Sequence, residues 1–299
     1  MKIKSPILYC CYNRLNLIKK SLKVLQDISC SNLYIAIDGS KNKQDEIIVD
    51  EVIKYIKKIK FKSNVKFLIR NKNLGCKIAI SSAIDWFFSH EEEGIILEED
   101  ILPSQNFFYF CEYTLDKYRN NEKIFMINGT NYLGLNKSNK YFYSQHFLIW
   151  GWATWKRAWK HYDVEMKEWH NEVVKNKLKD RYSKQEFDFL NQRFNSLFQS
   201  YKDTWDIQWY FTCVINNKLA IMPEANLVSN IGIHGTHSNE FYKTLFLKVG
   251  EIDIKEIIPS TKIERNEEFD LKLHKKYNFK KPFKEFLKKI YLYLLNFTK

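Results

Sequence analysis

At 299 residues with 45% hydrophobic side chains, the chain can bury a full core as one catalytic domain of about 250 residues plus a tail. The six cysteines, Cys10, Cys11, Cys30, Cys76, Cys111 and Cys213, show no paired spacing and read as reduced and buried. The net charge is +13, no apolar run approaches the roughly 20 residues that cross a bilayer, and residues 1–6 lack a signal-peptide core, so a cytoplasmic protein is expected.

In chain order, Ile7-Leu8-Tyr9-Cys10-Cys11-Tyr12 is a short apolar strand, followed by polar Asn13-Arg14 and a helix with Leu15, Ile18, Leu22 and Leu25 on one face. The pattern repeats as Leu33 to Ile37, ending in Asp38-Gly39-Ser40, with a helix carrying Ile47, Ile48, Val52, Tyr55 and Ile59. A third unit runs from Val65 to Ile69, through Asn71-Lys72-Asn73-Leu74-Gly75, into a helix from about Cys76 to Phe88. Gly94-Ile95-Ile96-Leu97 then leads into Glu98-Glu99-Asp100 and a turn bounded by Pro103. Three βα units leading into a further strand predict an α/β fold, a mostly parallel central sheet with helices on both faces. Ligands bind beyond the carboxyl ends of such strands, so Arg14, Asp38, Asn73 and the acidic triplet should gather along one edge. Clustered carboxylates there are costly unless neutralised, and a hard divalent cation held through Glu98 and Asp100 suits them; a solvated acidic turn is the plain alternative.

Downstream, Trp152, Trp155 and Trp159 fall at i, i+3 and i+7, as on one helix face, and favour the core over a binding wall. Asp206 lies between Trp205 and Trp209, where an acid is either a helix cap, a buried hydrogen-bonded group or a base. His234 and His237 sit in a Gly-bearing loop without the further ligands that a zinc site needs. No Gly-rich phosphate loop follows any strand, which weakens dehydrogenase, ATPase and nucleotidyltransferase readings.

The order of Asn13-Arg14, Asp38, Asn73-Leu74-Gly75 and Glu98-Glu99-Asp100 resembles metal-dependent glycosyltransferases of the GT-A fold. Within that fold it is similar to inverting enzymes like N-acetylglucosaminyltransferase I and their bacterial relatives. Trp150-Gly151-Trp152, Trp205-Asp206-Ile207-Gln208-Trp209, Pro223-Glu224 and the loop from Gly232 to Ser238 carry the likeness to about residue 240. The family's triplet is usually Glu-Asp-Asp, so Glu99 departs at the middle position, where the family touches the donor ribose.

The resemblance implies a nucleotide-diphosphate sugar donor, with a UDP-sugar the first choice, and a cell-surface glycan or lipid-linked glycan acceptor. Asp38 would read the base, with Arg14, Asn73, Glu98 and Glu99 also at the donor, and Asp100 and His237 would hold Mn²⁺ or Mg²⁺. Arg14 is otherwise a surface arginine at a helix start. Asp206 would be the general base and Trp152 would touch the acceptor, with Trp155 and Trp159 in the core. The implied division is a catalytic domain over 1–250, with a nucleotide-sugar half at 1–103 and an acceptor half at 104–250, and a tail at 251–299. A nucleotidyltransferase, or a catalytically silent glycan- or membrane-binding relative, is the alternative.

Residues 271–299 carry nine lysines against Glu285, most of the chain's excess charge. They lie beside Phe283, Phe286, Leu287, Ile290 and Leu294, which share one helical face. That pattern favours an anionic membrane surface over nucleic acid and implies peripheral association with the inner face of the cell membrane. The other reading is a helix docked on the catalytic domain.

Overall fold

The computed structural model describes residues 1–200, 202–232, 248–253 and 256–278. Four strands, β1 (Ile7–Cys11), β2 (Asn32–Ile37), β3 (Asn64–Ile69) and β4 (Glu93–Glu98), alternate with α1 (Leu15–Gln26), α2 (Lys43–Lys58) and α3 (Gly75–Phe88). They lie in the order β3-β2-β1-β4 and run parallel. Because successive strand residues face opposite ways, Ile7, Tyr9 and Cys11 enter one apolar cluster and Leu8 and Cys10 the other. The first cluster takes α1, α2 and α4 (Gln105–Lys117) through Leu22, Val52 and Phe108. The second takes α3 and α8 (Asp206–Ile215) through Ile84, Phe87 and Trp209. Apolar residues on both sides of each inner strand are what a sheet covered on both faces requires.

The sheet continues through β8 (Trp152–Trp155), antiparallel between β4 and β6 (Ile124–Asn128). Beyond β6 come β9 (Leu219–Pro223), β7 (Lys140–Ser144) and β11 (Ile258–Pro259), giving nine strands among the described residues. Five pairings are parallel and three antiparallel, the mixed α/β, mostly parallel architecture expected from the sequence. The sheet crosses residue 103 without a break, and β11 and the helix Glu267–Asn278 add to the same body. β5 (Ile101–Pro103) leaves the sheet and pairs with β10 (Val228–Asn230), which brings a late segment of chain back to the acidic turn.

Two local expectations are corrected. The segment from Trp152 to Trp155 is a strand, and only Lys156–Trp159 (α5) is helical, so Trp152 and Trp155 face opposite sides of the sheet. Their spacing fits one helix face, but pairing with β4 and β6 satisfies the backbone there, and it decides. In α2, Ile47 and Ile48 are exposed and the buried stripe is Val49, Val52 and Ile56. No described helix is long and apolar enough to cross a membrane.

Candidate active site

The carboxyl ends of β1 to β4 form one polar edge. The Asp38 backbone N–H bonds the Cys11 carbonyl at 3.1 Å and that of Arg70 bonds Ile37 at 3.0 Å, carrying the sheet ladder one residue past the strands. The Asp38 carboxylate accepts the backbone N–H groups of Gly39 (2.9 Å) and Leu74 (3.1 Å) and the Asn73 side-chain amide (2.8 Å). Asn73 in turn donates to the Gly39 carbonyl at 3.0 Å and accepts the Gly75 N–H at 3.1 Å. Burial pushes the Asp38 carboxyl up, while the two backbone donors pull it down. The Leu74 N–H is shared with Oδ2 at 3.3 Å, so both oxygens of this carboxylate are held by protein donors. Asp38 and Asn73 are therefore brought together as expected of neighbours at one edge.

The acidic turn is divided by depth. Glu99, 5% exposed, accepts the Tyr12 N–H at 2.7 Å and Arg14 Nε at 2.5 Å. Arg14 also reaches Asp100 Oδ2 at 3.1 Å, so this guanidinium is the counter-ion of two of the three acids. Burial works against the guanidinium's charge, but Glu99 and Asp100 outweigh it and hold Arg14 firmly protonated. Glu98 is half-buried; burial first, then the negative charges of Asp100 and Asp206, push its carboxyl well above the usual range. Gly232, just past β10, lies against Asp100: a Cβ there would lie 2.4 Å from Asp100 Oδ2. The Ile231 N–H bonds the Asp100 carbonyl at 2.8 Å, so only glycine lets the chain pass at that height.

Asp206 joins this edge from far along the chain. It opens α8, Arg193 on α7 (Lys184–Ser200) donates to its Oδ2 at 3.3 Å, and the Thr204 hydroxyl donates to its Oδ1. Asp203, three residues earlier, is bound to the start of α3, and the negative charge of Asp206 helps push up Glu98, Cys76 and Tyr162. Asp206 caps no helix with its side chain; Trp205 occupies the cap position. Trp152 is fully buried, packed on Trp205, Trp209 and Trp159 at ring separations of 5.6, 5.8 and 6.3 Å. A ring with no exposed face offers a sugar no surface, so the acceptor contact expected of Trp152 is corrected to support beneath Trp205, next to Asp206.

Several residues of this edge are not identifiable from local pattern. Asp203 accepts the N–H groups of Cys76 (2.8 Å) and Lys77 (2.7 Å) and so caps α3. Asp45 binds the Tyr12 hydroxyl, Asn13 Nδ2 (2.7 Å) and the Lys41 N–H (2.8 Å), fixing the turn after β1 against the start of α2. Arg193 and Thr204 set the Asp206 carboxylate. Asp203 and Asp45 act across 127 and 33 positions of chain, whereas Thr204 lies two residues from Asp206, so the nearest sequence signal is the Thr204-Trp205-Asp206 run itself.

Among the described residues no group of three or more His, Cys, Asp and Glu side chains could hold a metal ion by itself. The donor set at the turn is nonetheless all oxygen, with the carboxylates of Glu98, Glu99 and Asp100 outnumbering the one guanidinium of Arg14. Such a set fits a small hard cation that takes one or two carboxylates and completes its shell on a ligand's phosphates. His237 and His234 lie outside the described residues, as does the stretch from 279 to 299.

No protein-family profile and no curated protein sequence matches the chain. Among solved structures it is similar to UDP-glucose pyrophosphorylase complexed with UDP-glucose, at 8% identity over 53% of this chain and 79% of that one, TM-score 0.29. It is similar to mouse xyloside xylosyltransferase 1 at 8% identity over 71% and 81%, TM-score 0.31. It is also similar to HddC from Yersinia pseudotuberculosis at 14% identity over 51% and 77%, TM-score 0.29. Overlaps of this extent assign neither activity nor residue roles.

Proposed function

We propose that the protein is a metal-dependent inverting glycosyltransferase of the GT-A kind, moving a sugar from a nucleotide-diphosphate donor, with UDP the first choice, to a glycan acceptor. The observation that supports the proposal is the polar strand edge itself, where Asn73 holds Asp38 and Arg14 holds Glu99 and Asp100, with Asp203, three residues before Asp206, bound to the start of α3 beside it. In this reading Asp38, just past the carboxyl end of β2, meets the base. Asn73 holds Asp38 in register, and Arg14 is within its own side chain's reach of the acidic turn where a diphosphate would lie. Asp100, assisted by Glu98, would hold Mn²⁺ or Mg²⁺, whose charge neutralises a departing nucleoside diphosphate. Asp206 would take the proton from the acceptor hydroxyl as it attacks the anomeric carbon opposite the leaving group. Trp205, buried against Trp152, keeps water from one side of Asp206.

Attachment to an anionic membrane through residues 271–299 is part of the same proposal. Leu273 and His274 are buried against the body, so a lipid-facing surface would begin beyond the helix Glu267–Asn278. Thermal unfolding with UDP, GDP and CDP, each with and without Mn²⁺, tests the donor reading. A ligand at 100 times its Kd stabilises by about 2.7 kcal/mol, and UDP with Mn²⁺ should give the largest shift. No shift with any of the three would overturn it.

A further inference from the structure

Arg14 and a divalent cation have the same claim on one oxygen. The guanidinium spans two carboxylates at different depths: Nε rests on Glu99, whose side chain is 6% exposed, while its outer nitrogen reaches Asp100 Oδ2, on a side chain 17% exposed. The inner contact is short, at 2.5 Å, and Glu99 is further fixed by the Tyr12 N–H. The outer contact is longer, at 3.1 Å, and is the only protein hydrogen bond described for the Asp100 carboxylate. Gly232 crowds the same oxygen, since a Cβ there would lie 2.4 Å from Oδ2. A cation that takes Oδ2 meets the guanidinium there, and two positive charges on one carboxylate oxygen repel.

We infer that Arg14 is a displaceable counter-ion: it pivots on Glu99, leaves Asp100 when a divalent cation arrives, and turns its freed N–H groups onto the diphosphate. The inference rests on the donor-site reading and adds an order to it. Without nucleotide, Arg14 holds Asp100 and the cation binds weakly; a diphosphate gives Arg14 a new partner and releases Asp100. Linkage then makes cation and diphosphate each tighten the other's binding by the same factor.

Titration of the full chain with Mn²⁺ alone, followed by electron paramagnetic resonance of free Mn²⁺, and then with Mn²⁺ in the presence of UDP, tests this. Arg14→Met should bind Mn²⁺ alone about tenfold or more tighter than wild type, the ratio expected when a charge-assisted competitor is removed. The same variant should bind UDP with Mn²⁺ more weakly. Arg14→Lys keeps the charge on Glu99 but cannot span to Asp100, so it should also tighten Mn²⁺ alone, and it guards against a variant that fails to fold with Glu99 unpaired. Equal Mn²⁺ binding by wild type and Arg14→Lys means that charge, not contact, governs the site, and it overturns the pivot while leaving the metal reading intact. Absence of Mn²⁺ binding by wild type even with UDP, unchanged in Asp100→Asn, overturns both.

Discussion

Asp206 carries the chemistry in the proposed reaction, and its surroundings hold both carboxylate oxygens in place. Arg193 holds one oxygen and Thr204 the other, and the Arg193 guanidinium is itself laid over the Tyr210 ring at 4.9 Å. Asp206→Asn keeps the shape and removes the base, so UDP and Mn²⁺ binding by calorimetry should be unchanged while turnover falls by ~10²–10⁴-fold. NMR of the product should show inverted anomeric configuration; retention would remove the base role. Trp152 gives a second prediction at this scale. Its indole Nε1 is buried without a hydrogen-bond partner, so Trp152→Phe loses no such bond and should unfold at nearly the wild-type denaturant midpoint. Trp152→Ala should cost about 3–5 kcal/mol through the cavity it opens among Trp159, Trp205 and Trp209. If Trp152→Phe abolishes acceptor use while donor binding persists, the indole does more than pack.

The start of α3 shows how an element is fixed by a residue far away in sequence. Gly75 takes φ +74°, and a Cβ there would sit 2.7 Å from Asp203 Oδ2, the same oxygen that accepts the Cys76 N–H. Asp203→Ala should cost about 1 kcal/mol as a lost cap. Gly75→Ala adds a left-handed backbone penalty of roughly 1–2 kcal/mol and pushes Asp203 away. Because both changes damage one contact, the double variant should be less destabilised than the sum, which urea unfolding of all four proteins would measure. Additive losses would mean that Asp203 caps nothing in solution. The strand-turn-helix units were legible because their apolar periods of 2 and 3.6 are local, and so was the placing of Arg14, Asp38, Asn73 and the acidic triplet at one edge. The Arg14–Glu99 and Asp203–Cys76 contacts join residues 85 and 127 positions apart, and nothing local announces them. The Trp152–Trp155 spacing fits a helix face as well as a strand, and only the partners β4 and β6 distinguish the two.

At the scale of the whole molecule, the helix Glu267–Asn278 is held to the sheet through a buried polar cluster separate from the acidic edge. Asp270, fully buried, accepts the Ser144 hydroxyl (2.5 Å), the Gln145 N–H (3.0 Å) and Arg265 Nε (2.6 Å), while Arg265 also pairs with Glu186 on α7. His146 lies within this cluster, its ring nitrogens 3.2 Å from the Asp270 carbonyl and 3.2 Å from the Tyr210 hydroxyl. Burial pulls the His146 imidazole below its usual range; Asp270 opposes that, and Arg265 and Arg193 add to it. His274, on the docked helix, is lowered by burial and by His146. For a base lowered on folding, the unfolded chain binds more protons, so stability falls as pH drops below the unfolded value of about 6.5. Glu98, Glu99 and Asp38 are raised on folding and contribute with the opposite sign, favouring the native state as pH falls. The histidine effect is therefore read as a difference between proteins. Between about pH 7 and pH 5.5 the urea midpoint of wild type should drop further than that of His146→Gln, which cannot take up the proton. Parallel midpoints across that range would mean that His146 titrates alike in folded and unfolded chains, and that the cluster beneath the helix is open to water.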